Sequence, residues 1–259
     1  MIRKDKKVIT NLEDWEKYGG PKNSTHWKDG RSAKEVAKAW IESFPELPVE
    51  VIQTLNTNSD IGKIESWHAE PEARLKFDTF RGEPPNLDLF VVANDSEGFL
   101  VMGIEAKADE PFSTILSDAY RDALSRLKKN PNSKGVIRLE NLLNSLFGAN
   151  LASLCEFGKL RYQLLTATAG LLNAAKKEGA TRALLLIHEF RTNQTTDKLH
   201  SLNQMDLNDF VRVFSKGKYD SVNKNCVIGP IVHCSEFTNN EEIQFYIGKA
   251  TRELRSPGA

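Results

Sequence analysis

Residues 86–107 have the sequence NLDLFVVANDSEGFLVMGIEAK, in which the polar segment NDSEG separates two apolar runs. Runs rich in Val, Leu, Ile and Phe on either side of such turn-forming residues are typical of a β-hairpin. Neither run alternates cleanly between apolar and polar residues. We therefore expect both strands to be covered on both faces and to lie near the centre of a sheet.

The segments around the hairpin predict an α/β fold with a mixed sheet. Apolar residues at helical spacing predict helices near residues 12–18, 32–44, 49–55, 113–129, 139–147, 158–177 and 206–214. Strand patterns occur near residues 75–79, 181–190, 226–233 and 243–248. Ser32 and Glu35 fit a capping box at the start of the second helix. Because a helix separates the second hairpin strand from the strand at 181–190, we expect these two strands to be parallel.

This pattern divides the chain into three parts. Residues 1–31 are polar and rich in turn residues, so we expect an irregular arm with one short helix. Residues 32–190 contain the hairpin and form the core, with a helical insertion at about 113–148. Residues 191–259 form a C-terminal extension that packs on this core.

Composition excludes several classes of protein. The 259 residues hold 35 Lys and Arg against 35 Asp and Glu, so a strongly basic chain is excluded, although a local basic groove is not. No apolar run approaches the roughly 20 residues of a membrane span, and no apolar segment follows the basic N-terminus as it would in a signal peptide. Three cysteines without a Cys-x-x-Cys pair do not form a disulfide framework, so we expect a cytoplasmic protein with mostly buried thiols.

Two charged residues end the second apolar run. Glu105 and Lys107 are two positions apart and therefore point to the same face of their strand. With a four-residue loop, Asn94 pairs with Phe99, and the same register places Asp88 directly opposite Glu105. Opposed carboxylates repel each other unless something lies between them, and a divalent cation such as Mg²⁺, which prefers oxygen ligands, is the natural species.

The same residues have a second interpretation, a salt-bridged strand end at a solvated edge of the sheet. The tripeptide of an acid, any residue and Lys is uninformative by itself, because it also occurs at residues 5–7 (DKK). Only the EAK of residues 105–107 lies on an apolar strand with an acid on the preceding strand. The local sequence therefore leaves the metal site and the simple ion pair equally open.

Asp88 on one strand, followed by EAK at residues 105–107 on its partner, resembles the core motif of the PD-(D/E)xK nuclease superfamily. These nucleases share an αβββαβ core, and residues 32–190 offer elements in that order. The resemblance therefore implies a restriction-endonuclease-like fold with a mixed central sheet. One departure from the motif is that Pro85 does not directly precede Asp88.

The resemblance also implies a catalytic centre. Asp88 and Glu105 would hold Mg²⁺, for which Mn²⁺ could substitute. Lys107 would orient or activate the attacking water.

Members of the superfamily often add an upstream glutamate and a polar residue on the second core helix. Glu72, or Glu70 two positions before it, would supply the glutamate as a further metal ligand. Gln163 would supply the polar residue. Glu35 is a weaker candidate, because the capping box already accounts for it.

The implied substrate is a phosphodiester in DNA, with RNA as the weaker candidate. Two local basic clusters could contact backbone phosphates. They are Arg126, Lys128, Lys129 and Lys134 in the insertion, and Lys216 with Lys218. Such clusters are more often plain solvated surface. Analogy with the superfamily suggests a restriction or phage-defence role, and a homodimer is left open.

Two further hypotheses remain. A nuclease-like fold could have kept a nucleic-acid- or protein-binding role without cleavage, although the intact Asp, Glu and Lys argue against it. The other is an α/β scaffold in which Glu105 and Lys107 form only an ion pair. His188 and the group Cys226, His233 and Cys234 lack the spacing of metal ligands, so we predict that they are core residues.

Overall fold

The computed structural model describes residues 1–81, 85–235, 238 and 241–254, and within them eight strands form one mixed sheet. The strands are β1 (Ile2–Lys4), β2 (Lys7–Ile9), β3 (Ser66–Arg74), β4 (Asn86–Asp95), β5 (Gly98–Lys107), β6 (Arg182–Arg191), β7 (Cys226–His233) and β8 (Ile243–Glu253). Their order across the sheet is β2-β1-β3-β4-β5-β6-β8-β7. The predicted α/β class with a mixed sheet is confirmed.

Helices cover both faces of this sheet. They are α1 (Leu12–Gly19), α2 (Ser32–Ser43), α3 (Val49–Leu55), α4 (Leu116–Lys129), α5 (Gly135–Phe147), α6 (Leu154–Phe157), α7 (Tyr162–Lys177) and α8 (Asp197–Phe214). One apolar layer packs α2 and α3 on the sheet and includes Trp40 and Leu89. The other packs α4, α5, α7 and α8 on the opposite face and includes Leu142 and Leu165.

The β4–β5 hairpin lies at the centre of the sheet, as its apolar runs predict. Asn94 pairs with Phe99 and the ladder continues to Leu89 and Ile104, so the predicted register is confirmed. Strand β5 is parallel to β6, as expected across a helical crossover, and β6 is parallel to β8. The charged carboxyl end of β5 therefore lies inside the sheet and not at its edge.

The N-terminal arm is not irregular, contrary to the expectation for residues 1–31. It forms the β1–β2 hairpin and α1, and Ile2 of β1 pairs in parallel with Ala69 of β3. Strands of three residues are too short to show the alternation by which a strand is detected in sequence. The short helix expected at 12–18 is present as α1.

The strand expected at 75–79 lies upstream instead, as β3. The buried positions of β3 are Ala69, Pro71 and Ala73. Their small side chains give only a weak hydrophobic alternation, whereas the stronger alternation after Arg74 belongs to a loop.

The C-terminal segment completes the sheet. Helix α8 begins at Asp197, well before the predicted start near 206, and β8 continues to Glu253 beside β6. Residues 255–259 of the expected C-terminal extension lie outside the described part of the chain. Among the described helices, none combines the length and the apolar character needed to cross a membrane.

The histidines and cysteines expected in the core divide into two groups. His188 and His233 are buried, as predicted. Cys155 and Cys234 are exposed and Cys226 is half-buried, so the expectation of mostly buried thiols is wrong. Cys155 lies in the one-turn helix α6, and Cys234 follows the end of the edge strand β7.

Candidate functional site

The structure brings Asp88, Glu105 and Lys107 together where β4 begins and β5 ends. Lys107 Nζ lies 2.7 Å from Glu105 Oε1, and both side chains are almost completely buried, at 4% and 2% exposure. Asp88 Oδ2 accepts the Ala106 backbone N–H at 2.7 Å, and its carboxyl is within hydrogen-bond distance of Glu105. This degree of burial is inconsistent with a strand end at a solvated edge.

Gln163 joins this cluster from the first turn of α7. Its side-chain Nε2 donates to Glu105 Oε1 at 2.5 Å. Its Oε1 accepts the backbone N–H of Ser113 at 3.2 Å, so both ends of the amide are held. The amide therefore fixes the orientation of the Glu105 carboxylate.

Glu72 lies beside Asp88, on the neighbouring strand β3. The pairs Pro71–Leu89 and Ala73–Leu87 flank it, so the register places Glu72 opposite Asp88. Its backbone has a φ of 47°, the left-handed conformation that non-glycine residues seldom adopt. The Asn86 side-chain amide donates to its carboxylate.

The other two glutamates considered at the sequence level are engaged elsewhere. Glu70 forms an ion pair with Lys4 at 2.8 Å and is largely exposed. Glu35 accepts the Gly30 backbone N–H at 2.7 Å and pairs with Lys38 at 2.9 Å. The predicted capping box is absent, because the N-cap of α2 is Arg31 and no side chain caps it.

Glu110, just after β5, is a site residue that sequence reasoning missed. Its charge acts on Lys107, and its carboxylate interacts with the Ser32 side chain at the start of α2. From α8, Asn203 Nδ2 donates to the Glu110 backbone carbonyl at 3.0 Å, and Asn203 Oδ1 accepts the Phe112 N–H at 3.3 Å. The one available signal was an acid three positions after Lys107 in a polar loop.

A second contact from α8 supports the Gln163 end of the site. Asp206 Oδ2 lies 2.8 Å from Arg161 Nε, immediately before α7. Arg161 also donates to the Ser113 carbonyl at 3.1 Å, and Ser113 holds the Gln163 amide. Helix α8 therefore fixes the loop that follows β5 at two points.

The charges of Glu105, Asp88 and Glu110 act on the buried ammonium of Lys107, and Glu72 adds a fourth carboxyl group beside Asp88. Burial, reinforced by neighbouring acids, raises the pKa of Glu72, Asp88 and Glu110 to about 7 in each case. Burial also raises the pKa of Glu105, although Lys107 opposes this. Burial alone would lower the pKa of Lys107, but the charges of Glu105 and Asp88 outweigh it and raise that pKa. The cluster has more negative than positive groups and would attract a cation.

The donors present fit a hard divalent cation. Asp88 and Glu105 supply carboxylate oxygens from adjacent strands, with Glu72 next to Asp88. Among the described residues, no three His, Cys, Asp or Glu side chains are grouped to hold a metal ion by themselves. Mg²⁺ commonly takes one or two carboxylates and completes its shell with water and substrate phosphate oxygens, so two carboxylates suffice.

Three of the four predicted nucleic-acid-binding residues line one groove. This insertion groove, of about 850 Å³, is bounded by residues 79–81, Arg126, residues 129–130, residues 132–135 and Arg138. It contains Lys129 and Lys134 but not Lys128, which is exposed outside it. The second basic pair, Lys216 and Lys218, lines a separate cavity beside His233.

A family model matches residues 8–254, nearly the whole chain. The chain belongs to the DUF6946 family, a domain of unknown function. No curated protein and no solved structure matches the chain.

Proposed function

We propose that this DUF6946 domain is a metal-dependent nuclease that hydrolyses phosphodiester bonds in DNA. The supporting observation is the buried cluster of Asp88, Glu105, Lys107 and Gln163 at the adjoining ends of two central strands. Asp88, Glu105 and Lys107 are the residue types of the PD-(D/E)xK motif, and Gln163 is the polar residue that members of the superfamily often add. The elements α2, β3, β4, β5, α7 and β6 follow the order helix, three strands, helix, strand of that superfamily, with α3 and α4–α6 as additional helices between them.

Asp88 and Glu105 would hold Mg²⁺, or Mn²⁺ in its place, and Glu72 lies next to them. A bound Mg²⁺ would polarise a phosphoryl oxygen and lower the pKa of a bound water. Burial, with the charges of neighbouring acids, raises the pKa values of these carboxyl groups, and Lys107 does not offset the effect. A divalent cation would relieve this imbalance.

Lys107 is the side chain that supplies positive charge to the proposed catalytic site, in addition to the metal ion. Its raised pKa keeps the ammonium protonated at neutral pH, and only one of its three N–H groups is needed for Glu105. The other donors can orient the attacking water or stabilise the charge that develops on the phosphate. Gln163 holds the Glu105 carboxylate in place during this step, because its own amide is fixed by Ser113.

The substrate strand would approach along the insertion groove, where Arg126, Lys129 and Lys134 can contact backbone phosphates. Three free cysteines suit the reducing cytoplasm, in which we place the protein. Analogy with the superfamily adds a restriction or phage-defence role.

A DNA-cleavage assay tests the proposal. Linear, circular and single-stranded DNA are incubated with Mg²⁺ or Mn²⁺ and with the wild type or Lys107→Ala. We expect Lys107→Ala to lower the cleavage rate by at least about 100-fold, the effect of losing one transition-state donor. Lys249→Ala is the control for loss of a buried lysine, because Lys249 on β8 is equally buried and pairs with a glutamate, Glu189 on the intervening strand β6.

Cleavage that persists in Lys107→Ala, or that falls equally in Lys249→Ala, would contradict the proposal. Binding of DNA without any cleavage would support the second candidate, a nuclease-like module that no longer cuts. One observation favours that candidate: Glu105 Oε1 already accepts hydrogen bonds from both Lys107 and Gln163.

A further inference from the structure

We infer that the insertion groove binds single-stranded nucleic acid, with phosphates on its basic rim and a base stacked on Phe80. The inference rests on the proposed function and names its substrate as a single strand. Phe80 and Arg81 line the groove from the loop after β3, and α4 and α5 supply the opposite side. The groove thus combines the aromatic side chain of Phe80 with several cationic side chains.

The charge of the groove is available to a ligand. Arg138 is neutralised by Asp78, which accepts from its Nε at 2.6 Å and from its Nη2 at 3.2 Å. The ion pairs formed among the described residues include none with Arg126, Lys129 or Lys134. These three side chains are exposed. A nucleic acid whose phosphates bind such unpaired cations releases the counterions condensed on it, and this release favours binding.

Phe80 is presented by a loop that is anchored before any ligand binds. Asn173 on α7 donates to the Lys76 carbonyl, and Phe77 is buried in the apolar layer below. Asp78 accepts the Phe80 backbone N–H at 3.0 Å while it holds Arg138. A fixed, half-buried aromatic ring among cations is the arrangement that stacks unpaired bases.

A single strand suits this groove better than a duplex does. A duplex presents its phosphates outside, but the faces of its bases are covered by their neighbours, so Phe80 would have no stacking partner. An unpaired base has a free face, and stacking on an aromatic side chain is tolerant of sequence. The proposal therefore predicts a preference for unpaired strands with little dependence on base sequence.

The first turn of α7 connects the groove to the candidate site. Tyr162 is close enough to Arg138 and Arg126 that both charges act on it, and burial raises the pKa of its hydroxyl. The next residue, Gln163, contacts Glu105 in the site. The groove cations and the carboxylate cluster therefore both act on neighbouring residues of the same turn of α7.

Fluorescence anisotropy with labelled oligonucleotides tests this inference. Single-stranded DNA, single-stranded RNA and duplex DNA are titrated with full-length protein in EDTA, so that binding is measured without cleavage. We expect both single strands to bind more tightly than the duplex. Phe80→Ala should weaken single-strand binding by about 5- to 100-fold and leave duplex binding unchanged.

Lys129→Ala and Lys128→Ala form a matched pair of neighbouring exposed lysines, one inside the groove and one outside it. Lys129→Ala should weaken binding and reduce the slope of log affinity against log salt by about 0.7. Lys128→Ala should change neither quantity. Circular dichroism and thermal melts check that each variant is folded.

Equal affinity for duplex and single strand, equal loss in the two lysine variants, or no binding at all would overturn the inference. These outcomes are separable from failure of the proposed function. Cleavage without a single-strand preference overturns the inference alone. Single-strand binding that requires Phe80, with no cleavage under any metal condition, overturns the nuclease proposal alone.

Discussion

The two ends of the β4–β5 hairpin each bury a charged cluster, but the clusters differ in their balance of charge. At the turn end, Asp95 faces Arg182 at 2.5 Å. At the open end, Asp88 and Glu105 share Lys107 with further acids. The same two strands therefore provide an internal comparison between a balanced cluster and an unbalanced one.

At the turn end, the buried charge of Asp95 is balanced within the protein by Arg182. Arg182 donates to both oxygens of Asp95 and to the backbone carbonyls of Asp60 and Gly98. Burial would raise the pKa of Asp95, but Arg182 outweighs burial and lowers it. A third buried cluster behaves in the same way. There, His188 and Arg252 overcome burial and lower the pKa of Glu50 to about 2.

The open end has the opposite signature, with carboxyl pKa values raised by burial and by neighbouring acids. An ion pair alone does not distinguish the two ends, because each contains one. The distinguishing feature is that Lys107 and its neighbouring cations do not outweigh burial at the carboxyl groups of the open end, whereas Arg182 does so at the turn end. Uncompensated buried charge is common at functional sites, since a ligand supplies what the protein lacks.

The largest expected effect on stability comes from removing the Asp95 charge at the turn end. Asp95→Asn removes the charge that compensates the buried Arg182 and should lower the free energy of unfolding by about 3–5 kcal/mol. Urea denaturation at neutral pH measures this. The matched change at the other end of the same strand, Asp88→Asn, should not destabilise the protein under those conditions. Similar losses in both variants would remove the contrast between the ends.

The pH dependence of Asp88→Asn should be next in size. The pKa of Asp88 is raised from an ordinary 3.8 to about 7 in the folded protein, so protonated Asp88 stabilises the fold below about pH 4. That contribution is lost as the pH rises through about 7. The asparagine side chain of the variant does not titrate, so the variant lacks this pH dependence.

Wild type should therefore lose about 4 kcal/mol relative to Asp88→Asn between about pH 4 and pH 8, in the absence of divalent cations. Urea denaturation of both proteins across this range measures the difference. A difference that is constant with pH, or that grows in the opposite direction, would show that Asp88 is already neutralised.

Divalent cations should produce a smaller stabilisation, confined to the open end. At about ten times its dissociation constant, Mg²⁺ or Mn²⁺ should stabilise the wild type by about 1.4 kcal/mol, equivalent to a rise of about 3–5 °C in melting temperature. Asp88→Asn should lose this response. Differential scanning fluorimetry with EDTA as reference measures it, and an equal rise in both proteins would indicate cation binding elsewhere.

The hairpin and its register could be predicted because they depend on local sequence. The turn residues after Asn94 and the unbroken apolar runs determine which positions face each other, and Asp88 and Glu105 follow from that count. Gln163 was found from the superfamily pattern. The β1–β2 hairpin and β3 could not be predicted, because short strands and small buried residues such as Ala69 and Ala73 leave little periodic signal.

The supporting residues of the site were missed for a different reason. Glu110, Ser32 and Asn203 come from a loop and two helices that are far apart in the sequence, and each looks like an ordinary surface residue. Only the packing of α2 and α8 at the end of β5 brings them together. The excess of negative charge at the open end depends on this packing, so no local pattern could reveal it.

Asn203→Ala should produce the smallest effect. It removes contacts that support the open end and leaves the contacts of the turn end in place. The side chain is 6% exposed and bridges Glu110 and Phe112, so its loss should cost about 1 kcal/mol of stability. If it positions the site, the cleavage rate at saturating DNA should fall several-fold while the Michaelis constant stays unchanged. Asn208→Ala on the same helix is the matched control, because Asn208 Oδ1 accepts from Gln204 and, among the described residues, from no group of the site. An equal fall in rate in both variants would mean that α8 supports the fold in general and not the loop that carries Glu110.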